Sequence, residues 1–258
     1  MKALILAAGY ATRLYPLTKD RPKPLLSIAG KPILEYIMEK LERAEEIDAL
    51  YLVTNQKFIL NFQNWLDNFE TKKKIKILND GSTCDDDRLG AIGDIRFFLE
   101  EEKIDDDLLI VAGDNLFQFD LSRFIKSFEK RKAPCIALYN IGDRKRARNY
   151  GVVTVDENQR IVKFEEKPPR PTSTLIATCL YLFPKEDLNL ISTYLKEKRS
   201  SDAPGYYIQW LAKRGEVYGF VFKEKWYDIG SLESLKEADL EYRKKSTTEN
   251  TESQKTLK

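Results

Sequence analysis

Residues 5–34 read ILAAGYATRLYPLTKDRPKPLLSIAGKPIL. The stretch begins inside a continuous apolar run, Ala3–Ala8, that stops at Gly9. An unbroken run of this kind, bounded by a turn residue, is the pattern of a central parallel strand covered on both faces. The chain then sets Arg13, Lys19, Arg21, Lys23 and Lys31 among four prolines, so a stiff non-helical loop follows the strand. In an open parallel sheet, ligands bind beyond the carboxyl ends of the strands. Gly9 allows a turn with close backbone approach. Backbone N–H groups there, with Arg13 and Lys23, would form a concave anion site; the plain alternative is a solvated basic loop. Neither GxGxxG nor GxxxxGK(S/T) is present, so the loop is not a Rossmann dinucleotide loop or a P-loop.

Working outward, Pro32–Ala44 has helical spacing at Ile33, Tyr36, Ile37 and Leu41, and Ala49–Thr54 (ALYLVT) reads as a second strand. A helix over Lys57–Phe69, a strand over Ile75–Leu78, a helix over Leu89–Glu102 and a buried strand over Leu108–Ala112, ending at Gly113-Asp114, come after it. Strands alternating with helices predict an α/β fold with a doubly wound, mostly parallel sheet. From about Pro134 the texture changes: Cys135–Asn140, Gly151–Val155, Ile161–Glu166 and Ala177–Phe183 are short strands, read as an added mixed β region. A helix near Tyr206–Lys213, a strand over Val217–Phe222 and a charged helix from about Leu232 to Lys244 come next. From Ser246, STTENTESQKTLK has almost no apolar content and is expected to be a flexible tail.

Composition removes several classes of function. Net charge is +2, from 43 basic and 41 acidic side chains, without the basic excess of a nucleic-acid binder. There is no histidine, which excludes Ser-His and Cys-His catalysis and histidine metal sites. Cys84, Cys135 and Cys179 lack CxxC spacing and suggest neither zinc nor a disulfide framework. The apolar start MKALILAAG is too short for an export signal or a membrane span, and a cytoplasmic protein without a membrane partner is the expectation.

Leu6-Ala7-Ala8-Gly9-Tyr10-Ala11-Thr12-Arg13-Leu14, followed by Pro22-Lys23-Pro24-Leu25 and Gly30-Lys31-Pro32, resembles the signature of the sugar-1-phosphate nucleotidyltransferases, the NDP-sugar pyrophosphorylases. Further landmarks stand in order: Gly113-Asp114-Asn115, Tyr150-Gly151-Val152-Val153, Phe164-Glu165-Glu166-Lys167-Pro168 and Trp226-Tyr227-Asp228-Ile229-Gly230. The likeness runs from Lys2 to about Leu240 and is similar to that of glucose-1-phosphate thymidylyl- and uridylyltransferases. It implies a Rossmann-like nucleotidyltransferase domain over residues 1–245, with a nucleotide part near 1–133, a sugar-phosphate part near 134–230 and a C-terminal helix near 231–245.

The resemblance also implies roles. Arg13 and Lys23 would be the catalytic cations. Leu6, Ala8, Gly9, Thr12, Asn79, Arg88 and Gly90 would surround a nucleoside triphosphate, a pyrimidine one favoured, with Asn79 reading the base. Asn115, Gly151, Glu166, Lys167 and Thr178 would hold the sugar 1-phosphate. Asp114 and Asp228 would hold Mg²⁺; each taken alone reads more simply as a turn carboxylate, and it is the pair that suits oxygen coordination of the metal. Ala11 and Cys179 stand where the family usually has glycine. Two rival readings stay open: a non-sugar acceptor such as phosphocholine, and a non-catalytic binding subunit of the same fold. The sugar, the base and any homo-oligomer are left open.

Overall fold

Ala3, Leu4 and Ile5 are buried to within 1% of full exclusion, as a strand covered on both faces requires. The structure, a computed structural model, describes residues 1–256, with side chains as far as residue 244. In chain order its first half comprises β1 (Lys2–Leu6), the short hairpin β2 (Ser27–Ile28) and β3 (Lys31–Pro32), α1 (Ile33–Arg43), β4 (Ala49–Thr54), α2 (Ile59–Leu66), β5 (Lys74–Asn79), α3 (Ala91–Glu102) and β6 (Leu108–Ala112). Next come β7 (Asn115–Phe117), α4 (Leu121–Arg131), β8 (Cys135–Asn140), α5 (Arg144–Ala147), β9 (Gly151–Val155), β10 (Ile161–Glu166) and β11 (Leu175–Phe183). The chain ends with α6 (Asn189–Lys196), α7 (Pro204–Leu211), β12 (Tyr218–Phe222), β13 (Trp226–Asp228) and α8 (Leu232–Thr256).

Among the described residues, nine strands form one sheet along the path β10-β9-β11-β6-β1-β4-β5, with β8 on β11 and β12 on β8. The strands β6, β1, β4 and β5 are parallel. β11 runs antiparallel to β6, β8 and β9. The expected doubly wound, mostly parallel sheet with an added mixed region is therefore present. Side-chain alternation along β1 splits the core between the two faces. Ala3 and Ile5 pack with α1 and α4 residues such as Met38 and Phe124; Leu4 packs with Ile95 of α3, Ile191 of α6 and Ile208 of α7.

Three helices went unread in the sequence. Leu121, Phe124, Ile125 and Phe128 have helical spacing and become the buried face of α4, whose start Asp120 caps by accepting from Ser122 N at 3.0 Å. α6 and the one-turn α5 are the others. α8 extends to Thr256, past the boundary near 245 drawn where apolar residues run out. Helix propagation needs only residues that tolerate the helix once a packed turn has nucleated it. Side chains of the expected flexible tail lie outside the described residues. The packed part of α8 reaches back to the start of the chain. Ala238 and Tyr242 join Leu14, Leu26, Ile28 and Ile229 in a third cluster, and Asp239 accepts from Ala29 N at 2.7 Å. The C-terminal helix thus clamps the basic loop.

Candidate active site

From β1 the chain moves to β4 and β5 on one side, and only later to β6 on the other. The gap beyond the ends of β1 and β6 is the switch point where such sheets bind ligands. A cavity of about 550 Å³ opens there, lined by the loop from Leu6 to Leu14, by Lys23, by Ala112 at the end of β6 and by Asp114 beyond it. The two strand ends are drawn together by Gly113, whose N–H donates to Leu6 O at 2.8 Å. A Cβ at Gly113 would lie 2.9 Å from that oxygen, so only glycine fits. Buried Asn55 donates to Ala8 O at 2.7 Å and fixes the start of the loop.

The turn itself differs from expectation. Gly9 is not left-handed; Ala11 is, at φ 49° and ψ 42°, and opens the short helical turn Thr12–Leu14. Thr18 Oγ1 donates to Ala11 O at 2.7 Å and holds it there. A Cβ at Gly9 would meet nothing within 4 Å, so that backbone stands open to the cavity.

Asp114 and Asp228 are brought together by a small separate ladder. β13 pairs antiparallel with β7, and Asp228 is the register partner of Asn115, the residue after Asp114. Lys23 Nζ donates to Asp114 Oδ2. Burial pushes the Lys23 ammonium down, but the charges of Asp114 and Asp228 outweigh it and the pKa is raised. Burial raises the Asp228 carboxyl, and the Asp114 charge raises it further against Lys23, the Tyr150 hydroxyl that donates to it, and Arg13. The sequence shows Tyr150 within a motif without giving it a part in the site. The signal is its place directly before Gly151, opposite the strand that delivers Glu166.

The other end of the cavity is built from β9, β10 and β11, with Gly151, Glu166, Lys167, Thr178 and Cys179 on its wall. Glu166 is 7% exposed and its carboxyl is raised by burial; Lys167 Nζ, 4.0 Å away, is 54% exposed and free to swing into the cavity. Lys167 and Cys179 adopt φ of 44° and 57°. Cys179 lies where the β11–β8 register shifts. Asn115 borders the cavity, but both ends of its amide are occupied: it donates to Thr178 O and accepts from Trp226 Nε1 at 2.5 Å. Its part is to tie β7, β11 and β13 together.

Of the residues expected to surround a nucleotide, Leu6, Ala8, Gly9, Thr12, Arg88 and Gly90 line the cavity. Asn79 does not. It ends the edge strand β5, where its side chain donates to Gln56 Oε1 at 2.6 Å and accepts from Gly81 N at 3.0 Å. Arg88 is committed to Asp202 and Asp85 at 3.3 and 2.8 Å. Sequence reading missed Asp94, a buried wall residue of the cavity whose Oδ1 has no hydrogen-bond partner; a charge beside the apolar positions Ile95 and Phe98 was the signal.

The nucleotidyl transferase family profile matches residues 2–245. The chain is 34% identical over 239 residues to the bifunctional protein GlmU of Methanocaldococcus jannaschii, covering 93% of this chain and 53% of that protein. It is 29% identical over 253 residues to the UTP–glucose-1-phosphate uridylyltransferase of a Synechocystis species, with 90% and 61% covered. The chain thus spans about half the length of the relatives it matches. A solved apo UDP-glucose pyrophosphorylase superposes with a TM-score of 0.80 at 22% identity, over 95% of this chain and 99% of that one, a likeness of fold. With the switch-point cavity and its basic loop in place, the profile match over almost the whole chain makes it a member of the nucleotidyl transferase family.

Proposed function

We propose that this chain transfers a nucleotidyl group from a nucleoside triphosphate to a sugar 1-phosphate, giving an NDP-sugar and pyrophosphate. The observation that carries the reading is one cavity shared by Arg13 and Lys23, the Asp114–Asp228 pair, and Glu166 with Lys167. An oxygen of the acceptor phosphate, anionic at neutral pH, attacks the α-phosphorus. The bond from that phosphorus to the α,β-bridging oxygen breaks, and its electron pair leaves with pyrophosphate. No general base is needed, which suits a chain without histidine. The work left to the protein is alignment and charge neutralisation between two repelling anions. Lys23, kept protonated by its carboxylate neighbours, faces the α-phosphate, and Arg13 the β- and γ-phosphates. Lys167 reaches the acceptor phosphate while Glu166 accepts from sugar hydroxyls.

The fit of Mg²⁺ is supported by the donor set: two oxygen-donor carboxylates, close enough for the Asp114 charge to raise Asp228. Mg²⁺ takes few protein ligands and completes its shell with water and phosphate. Asp114 and Asp228 would hold it. When bound it supplies positive charge at the α-phosphate oxygens. A pyrimidine base is proposed from the UTP in the name of the Synechocystis relative; Asn79 lends it no support. The test is a pyrophosphate-release screen crossing the common NTPs with sugar 1-phosphates and phosphocholine. Release with a sugar 1-phosphate is expected. Release with phosphocholine alone moves the acceptor class, and NTP binding without any release points to a binding subunit.

A further inference from the structure

Glu166 sits between two glycine backbones. An ideal Cβ at Gly151 of β9 would lie 3.0 Å from Glu166 Oε2, and one at Gly205, in the first turn of α7, would lie 1.7 Å from Oε2 and 2.6 Å from Cδ. The contact at Gly151 would be tight, and the two at Gly205 are closer than real Cβ atoms essentially ever come, so there the carboxylate would have to move. Gly205 does not have a positive φ, and in a helix alanine is the better residue on intrinsic propensity. Space, and not backbone conformation, is therefore what glycine provides at this position. Apart from Lys167 Nζ at 4.0 Å, the Glu166 carboxylate has no hydrogen-bond or ion-pair partner among the described residues. It is buried, and Gly205, Phe164 and Glu166 all border the cavity. Its unused acceptor capacity is open to a bound hydroxyl-bearing ligand.

We propose that Gly205 is a positioning residue for the acceptor: by lacking a side chain it lets the Glu166 carboxylate lie over the first turn of α7, and so sets where a sugar ring's hydroxyls are held. This assignment rests on the nucleotidyl-transfer reading. A methyl group at residue 205 must push the carboxylate out of its place. The substitution Glu166→Asp, one methylene shorter, draws the carboxylate back from residue 205 and leaves room for that methyl.

The experiment compares four proteins, wild type, Gly205→Ala, Glu166→Asp and the double variant, with glucose 1-phosphate as the probe acceptor. With Glu166 in place, alanine at 205 is expected to lower kcat/KM for the acceptor about tenfold to a hundredfold, through KM, since misplacing a binding group by about an ångström has effects of that size. NTP affinity by calorimetry and the Tm should be unchanged. Added to Glu166→Asp, the same alanine should cost less than about threefold, a coupling that only a shared space explains. Equal cost in both backgrounds, or a Gly205→Ala loss that falls on NTP affinity or on Tm, overturns the assignment. Wild-type turnover with an unshifted acceptor KM in Gly205→Ala overturns it while leaving the transfer reading intact. No turnover in the wild type with this or any other sugar 1-phosphate defeats the transfer reading, and this assignment with it.

Discussion

Lys23 is ion-paired with Asp114, a contact that reaches from the basic loop to the far side of the switch point. Its ammonium is buried to 13% side-chain exposure and would be costly there without a counter-charge. The pair has two consequences. It ties the loop to the strand end beyond β6 and, in the proposed reaction, keeps a protonated donor at the position the α-phosphate would take. Lys23→Ala should therefore weaken binding of both NTP and pyrophosphate by about tenfold or more, the scale of one charge-assisted hydrogen bond. Calorimetric titration with pyrophosphate alone is the cleaner measurement. Wild-type affinity would return the loop to a solvated basic segment.

Asp114 and Asp228 form one unit by the β7–β13 register, so their losses should not multiply. Asp114→Asn and Asp228→Asn are each expected to lower kcat by about a hundredfold or more, and the double variant to be hardly worse than either. Single-turnover rates with Mg²⁺ titrated in would check this. Effects that multiply would separate the two carboxylates.

The joint between the two ends of the cavity rests on backbone more than on charge. Ile92 N donates to Ser201 O at 2.8 Å, and a Cβ at Gly90, where φ is 77°, would come within 2.7 Å of the same oxygen. Gly90→Ala should cost about 2–3 kcal/mol, from strain and from the clash with an unyielding carbonyl. Arg88→Ala removes exposed ion pairs with Asp202 and Asp85 and an exposed hydrogen bond to Asp85 O, and should cost less than about 1 kcal/mol. Urea unfolding of the two variants decides the order.

The parallel core was legible because buried strands such as ALYLVT and LLIVA declare themselves as apolar runs. The loop cations and both site carboxylates were legible because each follows a strand end or lies in a recognisable run. Asn79 misled because it stands in the segment where the family resemblance puts base recognition, whereas it ends the edge strand β5 and its amide turns back on Gln56 and Gly81. Ala11 and Cys179 show the reverse. They stand where glycine was expected, and both keep the left-handed backbone that glycine adopts freely. Residue type alone does not reveal such conformations. Gly205 stayed silent for a similar reason, since its meaning depends on a carboxylate 39 positions earlier in the chain.

Asp94 makes a pH prediction. Burial first, and then the neighbouring Asp80, push its carboxyl up to about 8. The same group in the unfolded chain titrates near 4, so between these values the folded protein holds a proton that the unfolded chain has released. Its contribution to stability is whole below about pH 4 and is lost as pH rises toward 8, at about 1.4 kcal/mol per unit at most. Asp94→Asn should flatten that slope. Urea midpoints of both proteins at pH 5, 6, 7 and 8 would show it, and parallel curves would place the Asp94 proton elsewhere.

Every role given to this cavity requires that it cleave the triphosphate between its α- and β-phosphorus atoms and deliver the α-phosphorus to a sugar phosphate. A double-label experiment follows both halves of the triphosphate at once, with α- and γ-labelled UTP and glucose 1-phosphate as the pair tried first, and the productive pair from the screen thereafter. The α-label is expected only in the NDP-sugar and the γ-label only in pyrophosphate, in equal amounts, with both transfers slowed about a hundredfold or more in Asp228→Asn. Release of the γ-label as orthophosphate, or transfer at the wild-type rate in Asp228→Asn, would contradict this chemistry.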